Sequence, residues 1–206
     1  MRRQAFITLA LCALALAGCD VDNGSLDRAR QNFGTDDPRP DAFYTCGSHN
    51  CSKRIAVSLS AKEWATARAP LMRRPRSAGA ERRALAEALR RLEVMVGEKT
   101  GYNSDLAYST LQVAGKAQDC VDEMVNTAVY LPMLDDAGLL RLHRPGQRVT
   151  IGFMTRRFWT HTVASIVQKD TGQEFIVETW AVDHGKTPYI MDRKAWAANA
   201  PLRRDF

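Results

Sequence analysis

Apolar and polar positions alternate with a helical period in the first part of the chain and with a strand period in the last. Leu85, Ala88, Leu89, Leu92, Met95 and Val96 recur at three- and four-residue intervals, while Arg82, Arg83, Glu87, Arg90 and Arg91 lie off that stripe. The spacing predicts an amphipathic helix over 80–96, ended by Gly97 and Gly101. Glu87 precedes Arg91 by four positions, the favourable order for a helical ion pair. Ser60-Ala61-Lys62-Glu63 has the spacing of a capping box, which predicts a helix start there and an end before Pro70. Val121, Met124, Val125, Ala128 and Leu131 form another stripe behind Asp119, a good N-cap. A helix is expected over 119–134, with Pro132 bending or ending it and Gly138 as a stop signal.

The later pattern changes to runs of β-branched and apolar residues. Val149 to Phe153, Thr162 to Val167 and Glu174 to Val182 read as strands, as does Ile55 to Leu59 earlier in the chain. Lys169-Asp170-Thr171-Gly172 reads as a hairpin turn, and Asp183 to Lys186 as a second turn. Helices followed by a small antiparallel sheet make an α+β order. Residues 20–42 are polar, with Asp-Asp-Pro-Arg-Pro-Asp at 36–41, and are expected to be a flexible tether.

The N-terminus changes this picture. Arg2 and Arg3 precede an apolar run from Phe6 to Ala17 that is too short to span a bilayer. Leu16-Ala17-Gly18-Cys19 follows and resembles the lipobox of bacterial lipoproteins. That resemblance implies a signal peptide over 1–18, diacylation of Cys19, and a protein on the cell envelope facing the periplasm. Asp20 points to the inner membrane. The lipidated tether would be residues 19–42. One domain would occupy 43–206, with a helical lobe over about 55–115 and a core over about 116–206.

The formal charge of +6 includes Arg2 and Arg3, so the chain without its leader carries +4. Its arginines are dispersed and have no interleaved aromatic stripe, so no nucleic-acid partner is expected. Membrane contact is expected through the lipid anchor. With Cys12 removed and Cys19 acylated, Cys46, Cys51 and Cys120 remain. Cys46 and Cys51 are near enough to close a small ring, which leaves Cys120 free. Two alternatives stand beside this. Cys46, His49 and Cys51 could be three metal ligands lacking an obvious fourth, or Cys120 could pair with one of the other two. No metal and no cofactor are expected.

The candidate chemistry starts at Cys120, in Gln118-Asp119-Cys120-Val121-Asp122-Glu123 at a helix start. Amides at a helix N-terminus favour a thiolate and a developing oxyanion. Asp122 and Glu123 act against this, because carboxylates nearby raise a thiol pKa. Gln118 is a candidate oxyanion donor. A thiolate needs a base, and the base needs an orienting group. His161 opens a strand in Trp159-Thr160-His161-Thr162-Val163, and Glu178 ends the next. Counting about the 170–171 turn places His161 opposite about residue 181, which leaves Asp183 as an alternative acid. Of the other histidines, His49 and His184 are isolated. His143, beside Arg141 and Arg144, is expected in a surface loop. The chain has no Gly-x-Ser-x-Gly, His-Glu-x-x-His, P-loop or dinucleotide fingerprint, so serine hydrolases, zinc proteases and nucleotide enzymes lack support.

Asp119-Cys120-Val121-Asp122, His161-Thr162-Val163 and Phe175-Ile176-Val177-Glu178 together resemble the bacterial transglutaminase-like cysteine proteinases of the papain-like superfamily. Trp180, two beyond Glu178, is similar to the papain-like Asn-x-Trp. The likeness spans roughly 116–190, and Glu178 stands where Asp is usual. It implies a transglutaminase-like core with Cys120, His161 and Glu178 as triad. The reaction would be thioester-mediated hydrolysis or acyl transfer on a peptide or protein of the envelope, without a cofactor. The alternative is a non-enzymatic envelope lipoprotein using the same fold as a binding or scaffold module.

Overall fold

A computed structural model of the chain describes residues 21–109, 117–152 and 160–199. In chain order the elements are β1 (Val21–Ser25), α1 (Leu26–Phe33), β2 (Phe43–Gly47), β3 (Lys53–Val57), α2 (Ala61–Met72) and α3 (Ala78–Thr100). Then come α4 (Cys120–Asp136), β4 (His143–Ile151), β5 (His161–Gln168), β6 (Glu174–Glu178), β7 (Tyr189–Asp192) and α5 (Arg193–Asn199). The fold is α+β. An antiparallel sheet runs in the order β1-β4-β5-β6-β7, and β2 and β3 form a separate hairpin.

The organising element is α4. Met124, Val125, Ala128, Val129, Leu131 and Leu134 are all inaccessible or nearly so, and polar Asn126 and Thr127 are buried between them. A helix buried all round must be covered on every side. β4 and β5 pack on one side of α4, and β2, α1 and α3 pack on others. Asn126 is tolerated because it is paired. Its Oδ1 accepts from the Cys46 amide at 2.7 Å and its Nδ2 donates to the Cys46 carbonyl at 3.1 Å. These bonds fix the β2–β3 hairpin on the helix.

The β5–β6 hairpin turns at 169–172, where Gly172 has φ +69°. Its register pairs Ala164 with Val177 and Val167 with Glu174. The pleat then sorts side chains by alternate positions. Ala164, Ile166, Phe175 and Val177 join the core beneath α4, while Val163 and Ile176 join Val149, Ile151 and Trp196 on the opposite face. His161 and Glu178 keep step with Val163 and Ile176, so both belong to the face that α5 covers.

Several expectations are corrected. The tether is structured from residue 21: β1 pairs with β4, and α1 buries Leu26 and Ala29. Leu26, Ala29 and Phe33 form an apolar stripe short enough to be hidden by the polar composition around it. Ser25 caps α1, and Gly34 ends it with φ +62°. Pro70 lies inside α2 rather than beyond its end, while α4 runs on through Pro132. A helix-interior proline costs about 3 kcal/mol, and burial of Leu71, Met133 and Leu134 just beyond these prolines offsets it. β4 starts six residues before the expected Val149, and β3 starts before Ile55 and stops before Leu59. β6 ends at Glu178, and β7 and α5 were not foreseen. His143 is inaccessible rather than on a surface loop, because it alternates with exposed Arg144 along β4. Among the described residues, no helix is long and apolar enough to cross a membrane. Cys19 and the expected signal peptide lie outside the described residues.

Candidate active site

Cys120 is the first residue of α4 and is half-buried. Asp119 caps the helix: its Oδ1 accepts from the Val121 and Asp122 amides at 3.0 and 2.9 Å. Asp122 completes a capping box by accepting from the Asp119 amide at 3.1 Å. The cap does not use the amide of Cys120 itself. The thiol contacts the Thr160 carbonyl at 3.9 Å, which places it at the start of β5, where His161 stands.

His161 is 2 % exposed and its Nε2 meets Glu178 Oε2 at 2.7 Å. Glu178 is equally buried, and the same oxygen accepts from Trp196 Nε1 at 2.8 Å. The imidazole packs against two indoles, with centroids 4.9 Å from Trp180 and 5.7 Å from Trp196. Trp180 is itself held by its Nε1 donating to the Ser109 carbonyl at 2.9 Å. The other imidazole nitrogen, Nδ1, is buried and has no hydrogen bond of good geometry. Burial disfavours the imidazolium. The charge of Glu178, the Cys120 thiol as partner and the hydrogen bond to Glu178 outweigh it and raise the His161 pKa to about 9. Cys120 is thus a neighbour of the imidazole, whose Nδ1 Glu178 leaves open.

The acids beside Cys120 present less charge than the sequence suggests. Burial, followed by repulsion from Glu93 and Asp105, pushes Glu123 well above the carboxylate range. Glu93 is raised to about 8 by burial and then by Asp105. Asp122 is raised to about 6 by burial and the Asp119 charge, although it accepts backbone amides from Asp119, Cys51 and His49.

Gln118 is buried and its Nε2 donates to the Cys46 carbonyl at 2.8 Å, so its amide group anchors the hairpin and keeps only its second hydrogen for an oxyanion. Asp183 is not the acid on His161: its Oδ1 accepts from the Ala107 amide at 3.0 Å and holds the 105–109 segment to the loop after β6. Cys46 and Cys51 form a disulfide with Cα atoms 4.6 Å apart, and Cys120 is a free thiol. That bond takes both sulfurs that a metal set with His49 would have needed. His184 is half-buried against α3, where a Cβ on Gly97 would come within 2.4 Å of its ring.

Trp196 went unnoticed in the sequence. Its only signal is a large apolar residue in Lys194-Ala195-Trp196-Ala197-Ala198. Trp196→Phe keeps the ring on His161 and removes the bond to Glu178. A loss of about 1.5–3 kcal/mol is the scale for a hydrogen bond to a charged group. Thermal unfolding should show it.

A second buried His–carboxylate pair gives a contrast. His143 Nδ1 meets Glu81 Oε1 at 2.9 Å, and both side chains are inaccessible. There the other nitrogen faces the Arg82 guanidinium at 3.2 Å, so it accepts a hydrogen bond and has no nucleophile to serve. Of these two pairs, the His161 one has a thiol as a neighbour. Comparison with known proteins returns no match to a family model, to a curated protein or to a solved structure.

Proposed function

We propose that this chain is a thiol-dependent acyl transferase or hydrolase with a transglutaminase-like core, acting on a peptide or amide bond of an envelope protein or peptide. In this reading the chain is tethered to the periplasmic side of a membrane through acylated Cys19. The observation that carries the proposal is the division of labour on His161. One nitrogen is fixed by buried Glu178, and the other is buried and left open by Glu178, with the Cys120 thiol as the imidazole's other partner.

The chemistry follows from that arrangement. His161 takes the Cys120 proton, and the thiolate attacks the substrate carbonyl carbon. The amide of Cys120, with the second hydrogen of Gln118, faces the oxyanion. The tetrahedral adduct collapses to a thioester as the C–N bond breaks, and the leaving amine takes its proton from His161. Water, deprotonated by His161, then attacks the thioester, releases the acid and returns the thiol. An amine in place of water would give transamidation.

One observation favours a second reading, a binding or scaffold module. The hydrogen bond that the thiol itself makes goes to the Thr160 carbonyl rather than to the imidazole. Iodoacetamide labelling at pH 6 separates the two. The proposal expects Cys120 in the native chain to react faster than in the denatured chain, and His161→Ala to remove the difference. Native labelling no faster than denatured labelling would leave the scaffold reading.

A further inference from the structure

The loop that closes the β2–β3 hairpin is left-handed over four successive non-glycine residues. Ser48, His49, Asn50 and Cys51 have φ of 64°, 69°, 51° and 52°. This conformation costs L-residues roughly 1–2 kcal/mol each, so the surroundings must enforce it. Two constraints do so. The disulfide joins Cys46, the fourth residue of β2, to Cys51, the last residue of the left-handed run. The second constraint is the start of α4. The amides of His49 and Cys51 donate to the two oxygens of Asp122 at 2.9 and 2.8 Å, and that of Asn50 to Asp119 Oδ2 at 3.0 Å. His49 Nδ1 adds a contact of 2.8 Å to the same Asp119 oxygen. Successive backbone amides turned to one side make an anion-binding nest, and here the anions are the carboxylates on either side of Cys120. The other Asp119 oxygen caps α4. Loop and nucleophile helix are therefore joined through the same two side chains.

We propose that the Cys46–Cys51 disulfide is a redox control on Cys120, with the oxidised form reactive and the reduced form not. The inference rests on the reading of Cys120 as nucleophile. A dithiol reductant would deliver two electrons and two protons, opening the S–S bond to two thiols and itself becoming a disulfide. With the ring open, nothing covalent holds residues 48–51 left-handed, and their amides leave Asp119 and Asp122. Asp119 and Asp122 then lose the loop that holds them in place, and the cap of α4, on which Cys120 stands as first residue, loosens, so the helix amides no longer meet the sulfur in a fixed geometry. The other charged or titratable groups here are His161, His49, which follows the loop, Asp105, which faces Asp119, and Glu123, which burial pushes well above the carboxylate range.

The test is the rate of Cys120 alkylation by iodoacetamide at pH 7, read as adduct mass at the Cys120 peptide. The oxidised wild-type chain is compared with the Cys46→Ser/Cys51→Ser variant. About a tenfold slower reaction in the variant, with cooperative thermal unfolding retained, is the expected result. Equal rates in the two folded chains overturn the inference. If the variant does not fold, the same comparison is made on wild-type chain opened by dithiothreitol under native conditions and then freed of reagent. A fast Cys120 that ignores the disulfide state overturns this inference alone. A Cys120 no faster than in the denatured chain overturns the nucleophile reading as well.

Discussion

In the Glu178→Gln variant, turnover is expected to fall by about 10²- to 10⁴-fold, the range associated with a positioned base and its orienting acid, while KM stays near the wild-type value. The substitution retains an oxygen for both His161 Nε2 and Trp196 Nε1, so it removes charge with little change in shape. It also has a signature independent of substrate. The His161 pKa is raised from 6.5 to about 9 in the folded chain. Between those values the folded state binds a proton that the unfolded state has lost. The stabilisation is thus complete below pH 6.5, declines as pH rises, and is gone above pH 9. Its size is at most about 3 kcal/mol, from 1.36 kcal/mol per pKa unit. Denaturant unfolding across this window should show the fall in wild type and a clearly smaller one in Glu178→Gln, where only the contribution of Cys120 remains. Asp183→Asn is the companion control. The amide oxygen still accepts from Ala107, so rate and pH dependence should remain; a large rate loss there would mean that the acid has been misassigned.

Glu81→Ala is expected to be the most destabilising single change, at about 3–5 kcal/mol. Glu81 lies in the first turn of α3, yet it is fully buried. It accepts from the amides of Arg141, Leu142 and His143 at 3.0, 2.9 and 2.9 Å, and from His143 Nδ1. Burial raises its pKa, but the hydrogen bonds from His143, Leu142 and Arg141 prevail and hold it below the usual carboxylate value. Alanine would strand three main-chain donors and an imidazole, beside an Arg82 guanidinium lying 3.8 Å from the Phe175 ring centroid. At roughly 2–4 °C per kcal/mol for a domain of this size, the melting temperature should drop by about 10 °C. Glu81→Gln, which keeps one acceptor oxygen, should lose less. A drop of only a degree or two for alanine would show that the amides find other partners.

Parts of this arrangement were legible in the sequence for local reasons. The α3 stripe repeats through several turns, Ser60 and Glu63 form the expected reciprocal cap, and Gly172 marks the turn that sets the β5–β6 register. Pairing Cys46 with Cys51 needed only their proximity. The preference for Glu178 over Asp183 required the pleat. With Ala164 opposite Val177, one further step sets Val163 level with Glu178, which is then diagonal to His161 on the same face. The count from the turn was one residue off, and with a period of two that leaves the face undecided. The rest was hidden because its partners are remote. Asp119 and Asp122 looked unfavourable beside a thiol, and nothing local reveals amides some 70 residues earlier. His143 looked exposed because its flanking arginines are charged, although a strand sends neighbours to opposite faces. α1 escaped because eight residues with few apolar side chains give little periodicity to read.

Trp196 belongs to the last described helix, and its indole holds the carboxylate that orients His161. A chain emerging from the ribosome exposes its segments in order, N-terminal first. Cys120, His161 and Glu178 are therefore all synthesised before the residue that fixes them. A chain made only as far as Glu178 carries the thiol and the imidazole but lacks their brace, so on the proposed reading chemical competence waits for α5. By this order of assembly the proposed nucleophile would be held in check toward its own chain and its neighbours until α5 has docked.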